Sequence, residues 1–273
     1  MLGRILGLSR KVDNTMTAIT ALPPEPFLDR GTLKKVLLAI TDISGYTRYM
    51  TRNKTDLLHS QVLLTEITQT LLKQVECPLQ VSKLEGDAIF LYAEVGDDWE
   101  SKKERVSSQI LSFFEAFTHK ITELSECNIC PCTACNKVGD LKLKVVVHYG
   151  EALIHKIGPF QELSGVDVIT VHRLLKNSIS AEEYLLVTES ALPHLDFREQ
   201  PLEVQWRETY DQIGEIRGKA WLAEEIEVQK QDLIRSGIYR SLSTKLANEW
   251  MKVKRILTFK LRPSRVPSFQ HLS

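Results

Sequence analysis

No stretch of this chain reaches the roughly 18 consecutive apolar residues that a membrane-spanning helix requires. Net charge is also missing: 35 Lys and Arg balance 35 Asp and Glu over 273 residues, which excludes a uniformly basic binder of polyanions. The opening residues, Met1 to Lys11, lack an apolar core and a small-residue cleavage site, so they do not read as a secretory signal. Aromatic residues make up only 7%, and no basic stretch interleaves with them, so no nucleic acid is expected as partner. There is no internal repeat. Cysteine is scarce except in one place: of five, four lie within nine residues, Cys127, Cys130, Cys132 and Cys135. Such crowding is not the disulfide framework of a secreted chain. It points to metal in a reducing compartment, and the expected location is the cytoplasm, with a peripheral membrane site left open by the tail described below.

What is present fits a globular protein, with 43% hydrophobic and 26% charged residues. Residues 1–32 read as a leader, because Pro23-Pro24-Glu25-Pro26 favours extended backbone. A main domain is expected over 33–228, with a Cys-rich insert at 127–135, and a basic extension over 229–273. From Lys230 onward ten Lys and Arg face two Asp and Glu, so the rest of the chain is acidic.

Val36 to Ile40 is a short apolar run, consistent with a strand buried on both faces, and Asp42 stands at its end. A helix is expected from about Lys54 to Gln74, where Leu57, Leu64, Ile67, Leu71 and Val75 recur at helical spacing. Leu79 to Lys83 and Ala88 to Tyr92 read as a hairpin joined through Glu85-Gly86, with Asp87 just past the turn. Val106, Ile110, Phe113, Phe114, Phe117, Ile121 and Leu124 form the clearest helical stripe. Leu143 to Val147 reads as a strand that turns at Tyr149-Gly150 and returns over Ala152 to Ile157. A helix opened by Asp167 and a strand over Tyr184 to Val187 follow, and Trp221 with its neighbours closes the sheet. This order implies an α+β, ferredoxin-like palm: an antiparallel-rich sheet with flanking helices.

Two aspartates at separate strand ends, Asp42 and Asp87, are the usual arrangement for Mg²⁺ on a phosphate substrate. Their flanks carry a resemblance. Ala39-Ile-Thr-Asp42-Ile43-Ser44-Gly45-Tyr46-Thr47 resembles the first metal motif of class III nucleotidyl cyclases. Lys83-Leu-Glu-Gly86-Asp87-Ala resembles their second. The strand ending His148-Tyr-Gly150 and the helix ending Arg173-Leu174 resemble two later motifs, in order, over roughly residues 33–223. The Cys-rich insert marks a divergent branch.

The resemblance implies conversion of a nucleoside triphosphate, ATP favoured, to a 3′,5′-cyclic nucleotide and pyrophosphate. Two Mg²⁺ or Mn²⁺ ions would lie on Asp42, Ile43 and Asp87, and phosphate would meet the backbone of Ser44, Gly45, Tyr46 and Thr47. Lys83 and Glu162 stand at the base-reading positions, Arg173 at the transition-state arginine, and Arg217 or Lys219 at the late phosphate-binding position. Because the chain carries one copy of each motif, a homodimer is implied, with the aspartates of one subunit facing Lys83, Glu162 and Arg173 of the other. One position departs from the pattern: Ile169 stands where family members carry a ribose-orienting asparagine. That departure keeps a second reading open, a catalytically degenerate domain acting as a nucleotide-binding or protein-interaction module.

The cysteine cluster reads as two C-x-x-C units one residue apart, for which structural zinc on all four thiolates is preferred. An iron–sulfur cluster, an ion shared with another subunit and a redox switch are the alternatives. His148, His155 and His172 read as ordinary structural histidines. Leu242, Leu246, Trp250, Val253, Leu257 and Leu261 recur at helical spacing among basic residues. Such a helix can lie on an anionic membrane, bind a protein partner, or pack on the acidic body of the same chain.

Overall fold

The computed structural model describes residues 31–157, 160–197, 204–222, 231–237, 239 and 241–261. The leader expected over 1–32 falls almost wholly outside them, as does the end of the basic extension. The elements are β1 (Thr32–Ser44), α1 (Tyr46–Arg52), α2 (Leu57–Leu72), β2 (Gln80–Glu85), β3 (Ala88–Glu94), α3 (Lys103–Glu126), α4 (Thr133–Lys137) and β4 (Lys142–Ile157). Then come β5 (Phe160–Ser164), α5 (Val166–Arg173), β6 (Tyr184–Thr188), β7 (Val204–Tyr210), β8 (Gly214–Leu222) and α6 (Leu242–Leu261).

One eight-stranded sheet runs β2-β3-β1-β4-β6-β8-β7, with β5 pairing on β4 outside that path. Its first half has the ferredoxin-like order, β1 lying antiparallel between β3 and β4. The second half joins through the parallel β4–β6 pair. The α+β, palm-type expectation therefore holds. β1 is central because its middle is apolar on both faces: Val36 to Ile40 are all fully buried. Leu37 and Ala39 face the core under α2 and α3, while Val36, Leu38 and Ile40 face the core under α5. The period-2 alternation of a strand thus divides one apolar run between two layers. The α3 stripe predicted from sequence is buried at every position from Val106 to Leu124.

Three local expectations are corrected. Tyr149-Gly150 does not turn; β4 continues through it for 16 residues, paired with β1 from Lys142 to Ile154. Gly150 is there for close approach instead, since a Cβ on it would stand 2.1 Å from Asp167 Cγ. Asp167 does not cap α5; its Oδ2 accepts the Glu151 backbone N–H at 2.7 Å and fastens the helix to β4. The strand holding Trp221 does not close the sheet, because β7 lies outside β8.

The C-terminal helix docks the opposite way from an ordinary amphipathic helix. Its polar residues face the body: Asn248 and Lys252 are buried, and Arg255 bonds Glu66 and Gln69 on α2. Its apolar stripe points outward, with Leu242 70%, Leu246 57% and Trp250 69% exposed. No helix among the described residues is long and apolar enough to cross a membrane.

Candidate functional site

β1 carries Asp42 to the rim of the sheet. There it lies directly across from Ala88 on β3 and from Lys144 on β4. Glu85 pairs with Ala88, which leaves Gly86-Asp87 as a two-residue hairpin loop. Gly86 takes φ +68°, a conformation that costs a glycine little, and this turn presents Asp87 beside Asp42. The Asp87 carboxyl is pushed up to about 6, first by burial and then by the charge of Asp42. Lys144 is the compensating cation, with Nζ 3.6 Å from Asp42 Oδ2. Two carboxylates against a single ammonium form a hard-oxygen donor set with negative charge in excess, which suits Mg²⁺ or Mn²⁺.

The Ile43 side chain is buried in the core, so only its backbone is available to a ligand. Ser44 is buried, and Gly45, at φ +87°, starts α1 at Tyr46, with Thr47 next. A cleft of about 280 Å³ runs between this corner and α2, lined among others by Ile43, Tyr46, Leu64, Leu84 and Asp87.

A second group forms on β2 and β5. Lys83 Nζ donates to Glu162 Oε2 at 2.8 Å and lies 3.7 Å from Glu85 Oε1, and the Glu162 bond holds the Lys83 pKa above its ordinary value. Glu85 Oε2 also meets His172 Nε2 at 2.9 Å, while the His172 ring sits edge-on to Phe90. The two expected base readers are thus brought together and satisfy one another. On α5, Val166 and Ile169 are 67% and 55% exposed, and Arg173, also exposed, continues that face at helical spacing. The Arg173 guanidinium has no hydrogen-bond or ion-pair partner among the described residues. Lys219 stands apart on β8, paired with Val187 and Gln205. It lines a separate cleft of about 420 Å³ with Arg207, Arg217 and Glu189.

His148 is structural. Its Nε2 lies 3.0 Å from Asp167 Oδ1 and its Nδ1 3.0 Å from Thr188 Oγ1, and burial pulls its pKa below the ordinary histidine value. β4 carries both His148 and His155, seven residues apart along one strand.

The cysteine cluster differs from expectation in one ligand. Cys130, Cys132 and Cys135 converge on His59 of α2, whose Nδ1 lies 3.5, 3.2 and 3.9 Å from their sulfurs. Cys127 stays outside: it ends α3, and its Sγ donates to the Tyr239 carbonyl at 3.2 Å. His59 was not legible as a member. It precedes the cysteines by more than 70 residues, and only the fold brings α2 against α4.

Residues 64–184 match a family described as a protein of unknown function, DUF2652. A curated relative, the uncharacterized protein Rv2561/Rv2562 of Mycobacterium tuberculosis, is 32% identical over 137 residues, 50% of this chain. The chain spans 63% of that relative's length. Among solved structures, the guanylyl cyclase Cya2 aligns over 69% of this chain and 93% of its own, with a TM-score of 0.51 and 11% identity. A bacterial light-regulated adenylyl cyclase aligns over 78% of this chain and 60% of its own, with a TM-score of 0.52 and 13% identity. The chain therefore has the fold of nucleotidyl cyclase domains.

Proposed function

We propose that this protein is a nucleotidyl cyclase-like enzyme. It binds a nucleoside triphosphate, ATP favoured, at a homodimer interface and closes it to a 3′,5′-cyclic nucleotide with release of pyrophosphate. The observation that carries the reading is the pairing of Asp42 and Asp87 at one corner of a cyclase-type sheet, with Lys83 of β2 and Glu162 of β5 joined elsewhere on it.

Asp42 and Asp87 would hold Mg²⁺ or Mn²⁺, which supplies charge neutralisation on the triphosphate and a more acidic ribose hydroxyl. Lys83 and Glu162 offer a donor and an acceptor to the edge of a base. They must exchange their mutual bond for bonds to the nucleotide, so base binding is weakened by the ion pair it replaces. Arg173, with no partner among the described residues, is free to meet phosphate charge. The exposed apolar residues Val166 and Ile169 give α5 a surface that a second copy can cover. In an isologous dimer Arg173 of one protomer would then face the aspartates of its partner, giving two equivalent sites.

Two observations favour a second reading, a nucleotide-binding module with little or no turnover. Ile169 cannot hydrogen-bond a ribose, and an orienting contact of that kind is worth on the order of 10²-fold in rate. Lys144 places an ammonium beside Asp42, where a divalent cation would sit.

The test is incubation of the full chain with each of the four nucleoside triphosphates and Mn²⁺, with cyclic product measured and Asp42→Ala as control. Product above the control is expected. Its absence, in protein shown to be dimeric, overturns the enzyme reading and leaves the binding module.

A further inference from the structure

We propose that His59, Cys130, Cys132 and Cys135 form a closed tetrahedral site for one structural Zn²⁺, which ties the 127–135 insert to α2 and thereby helps to seat the C-terminal helix.

The geometry is that of a single ion. Zn–S bonds of about 2.3 Å and a Zn–N bond of about 2.0–2.1 Å at tetrahedral angles place nitrogen and sulfur about 3.6 Å apart. The three His59 Nδ1 to sulfur distances, 3.2, 3.5 and 3.9 Å, straddle that value. All four ligand atoms lie within 4.8 Å of one another. The ligands of a multi-iron cluster, each on its own metal, would have to stand farther apart. A disulfide would pair two of the three sulfurs and leave the third thiol and the imidazole unexplained.

The chemistry selects the metal. Three soft sulfurs and one imidazole, with no carboxylate, suit zinc rather than Mg²⁺ or Mn²⁺. Four protein ligands leave no open position, so the site is structural rather than catalytic. The surroundings are those of a supported site. Cys132 caps α4, and its Sγ accepts the Cys135 backbone N–H at 3.4 Å, which orients the sulfur. Asn128 braces the loop by accepting the Cys130 N–H at 3.0 Å and donating to the Cys130 carbonyl at 2.9 Å. Zn²⁺ with three thiolates and a neutral imidazole carries one net negative charge. Lys252, 3% exposed, is the cation whose field reaches Cys135.

The same residues hold α6. Lys252 Nζ donates to Asn128 Oδ1 at 3.1 Å, Asn248 Nδ2 donates to the Cys127 carbonyl at 3.2 Å, and Glu249 accepts the Ile129 N–H at 3.1 Å. The 127–130 loop is therefore one part of the seat of α6, beside Glu66 and Gln69 of α2, and the metal fixes where that loop lies.

The test starts from the full chain purified under reducing conditions without chelator, with metal content measured by mass spectrometry. One zinc per chain is expected in the wild type and in Cys127→Ser, and almost none in His59→Ala and Cys132→Ser. To keep the test independent of how the last two variants fold, the wild type is also titrated with a thiol-reactive mercurial. Zinc release should track modification of the three cluster thiols and not of Cys77 or Cys127. Proteolysis within 242–258 should quicken at least several-fold on chelation. No stoichiometric metal, iron in place of zinc, or zinc lost from Cys127→Ser but kept by His59→Ala overturns the site. Unchanged proteolysis after chelation overturns the seating of α6.

Discussion

Replacing Lys144 by Met should tighten divalent-cation binding at the aspartate pair. The Lys144 ammonium sits 3.6 Å from Asp42 Oδ2, with the two side chains 22% and 20% exposed. At that separation two unit charges interact by about 4–5 kcal/mol at an effective dielectric of about 20, and by about 1 kcal/mol in water. Partial exposure places the pair between these limits, at about 1–3 kcal/mol. A cation binding at Asp42 must displace the ammonium or endure its repulsion, so most of that energy opposes binding. Removing it should lower the Mn²⁺ dissociation constant by about 5- to 100-fold, at 1.4 kcal/mol per tenfold.

The assay is calorimetric titration of Mn²⁺ into wild type, Lys144→Met and Asp42→Ala at pH 8, well above the Asp87 value of about 6, so that protons do not compete. The neutral variant should also lose about 1 kcal/mol of stability in the metal-free state, through the broken ion pair. Equal or weaker Mn²⁺ binding by Lys144→Met, in a protein whose binding is abolished by Asp42→Ala, refutes the competition argument. Binding that survives Asp42→Ala refutes the site.

Three further outcomes are expected. Gly150→Ala should destabilise the fold by about 2–3 kcal/mol in urea denaturation, because its Cβ overlaps Asp167 and forces α5 away from β4; a loss below about 0.5 kcal/mol would show that the helix shifts freely. Acidification should weaken the fold through His148: its folded pKa is depressed, so below about 6.5 the unfolded chain binds a proton the folded chain refuses, and stability falls by up to about 1.4 kcal/mol per pH unit until the folded pKa is reached. His148→Gln should flatten that slope, and an unchanged slope would mean that other groups set it. Ile169→Asn should raise cyclic-nucleotide production under Mn²⁺ toward the on-the-order-of 10²-fold that one orienting hydrogen bond contributes; no increase over wild type would remove Ile169 as the limiting residue.

What could be read from sequence was what repeats along one element. The buried run of β1, the α3 stripe and the Glu85-Gly86 hairpin each express a local period or a local turn, and each formed where expected. Gly150 misled because a glycine can serve a turn or a close approach, and only the position of Asp167 across from it tells which. His59 and α6 were illegible for a related reason. The hydrophobic pattern of α6 is a stripe, as its spacing implies, but the side that docks is decided by polar partners far away in sequence: Glu66, Gln69 and Asn128. A helix whose charged face finds buried partners can leave its apolar face exposed.

Under the proposed function, the departures from a working cyclase site fall on single side chains rather than on the fold. The sheet rests on many interchangeable apolar contacts, so it survives with 11–13% identity to the cyclases it resembles in shape. The chemistry rests on a few groups, and each altered one acts on a different step. In the proposed site, Lys144 would bear on the metal, the Lys83–Glu162 bond on the base, and Ile169 on the ribose. These effects are separable. Lys144→Met should change metal affinity without changing which triphosphate binds. Glu162→Gln should loosen Lys83 and alter base preference without changing Mn²⁺ affinity. Ile169→Asn should alter turnover at saturating metal and nucleotide. A Lys144→Met, Ile169→Asn double variant should show near-additive gains, because the two residues act on different ligands. A double variant that remains inactive, while binding Mn²⁺ and triphosphate tightly, would place this chain among nucleotide-binding modules, whatever its fold.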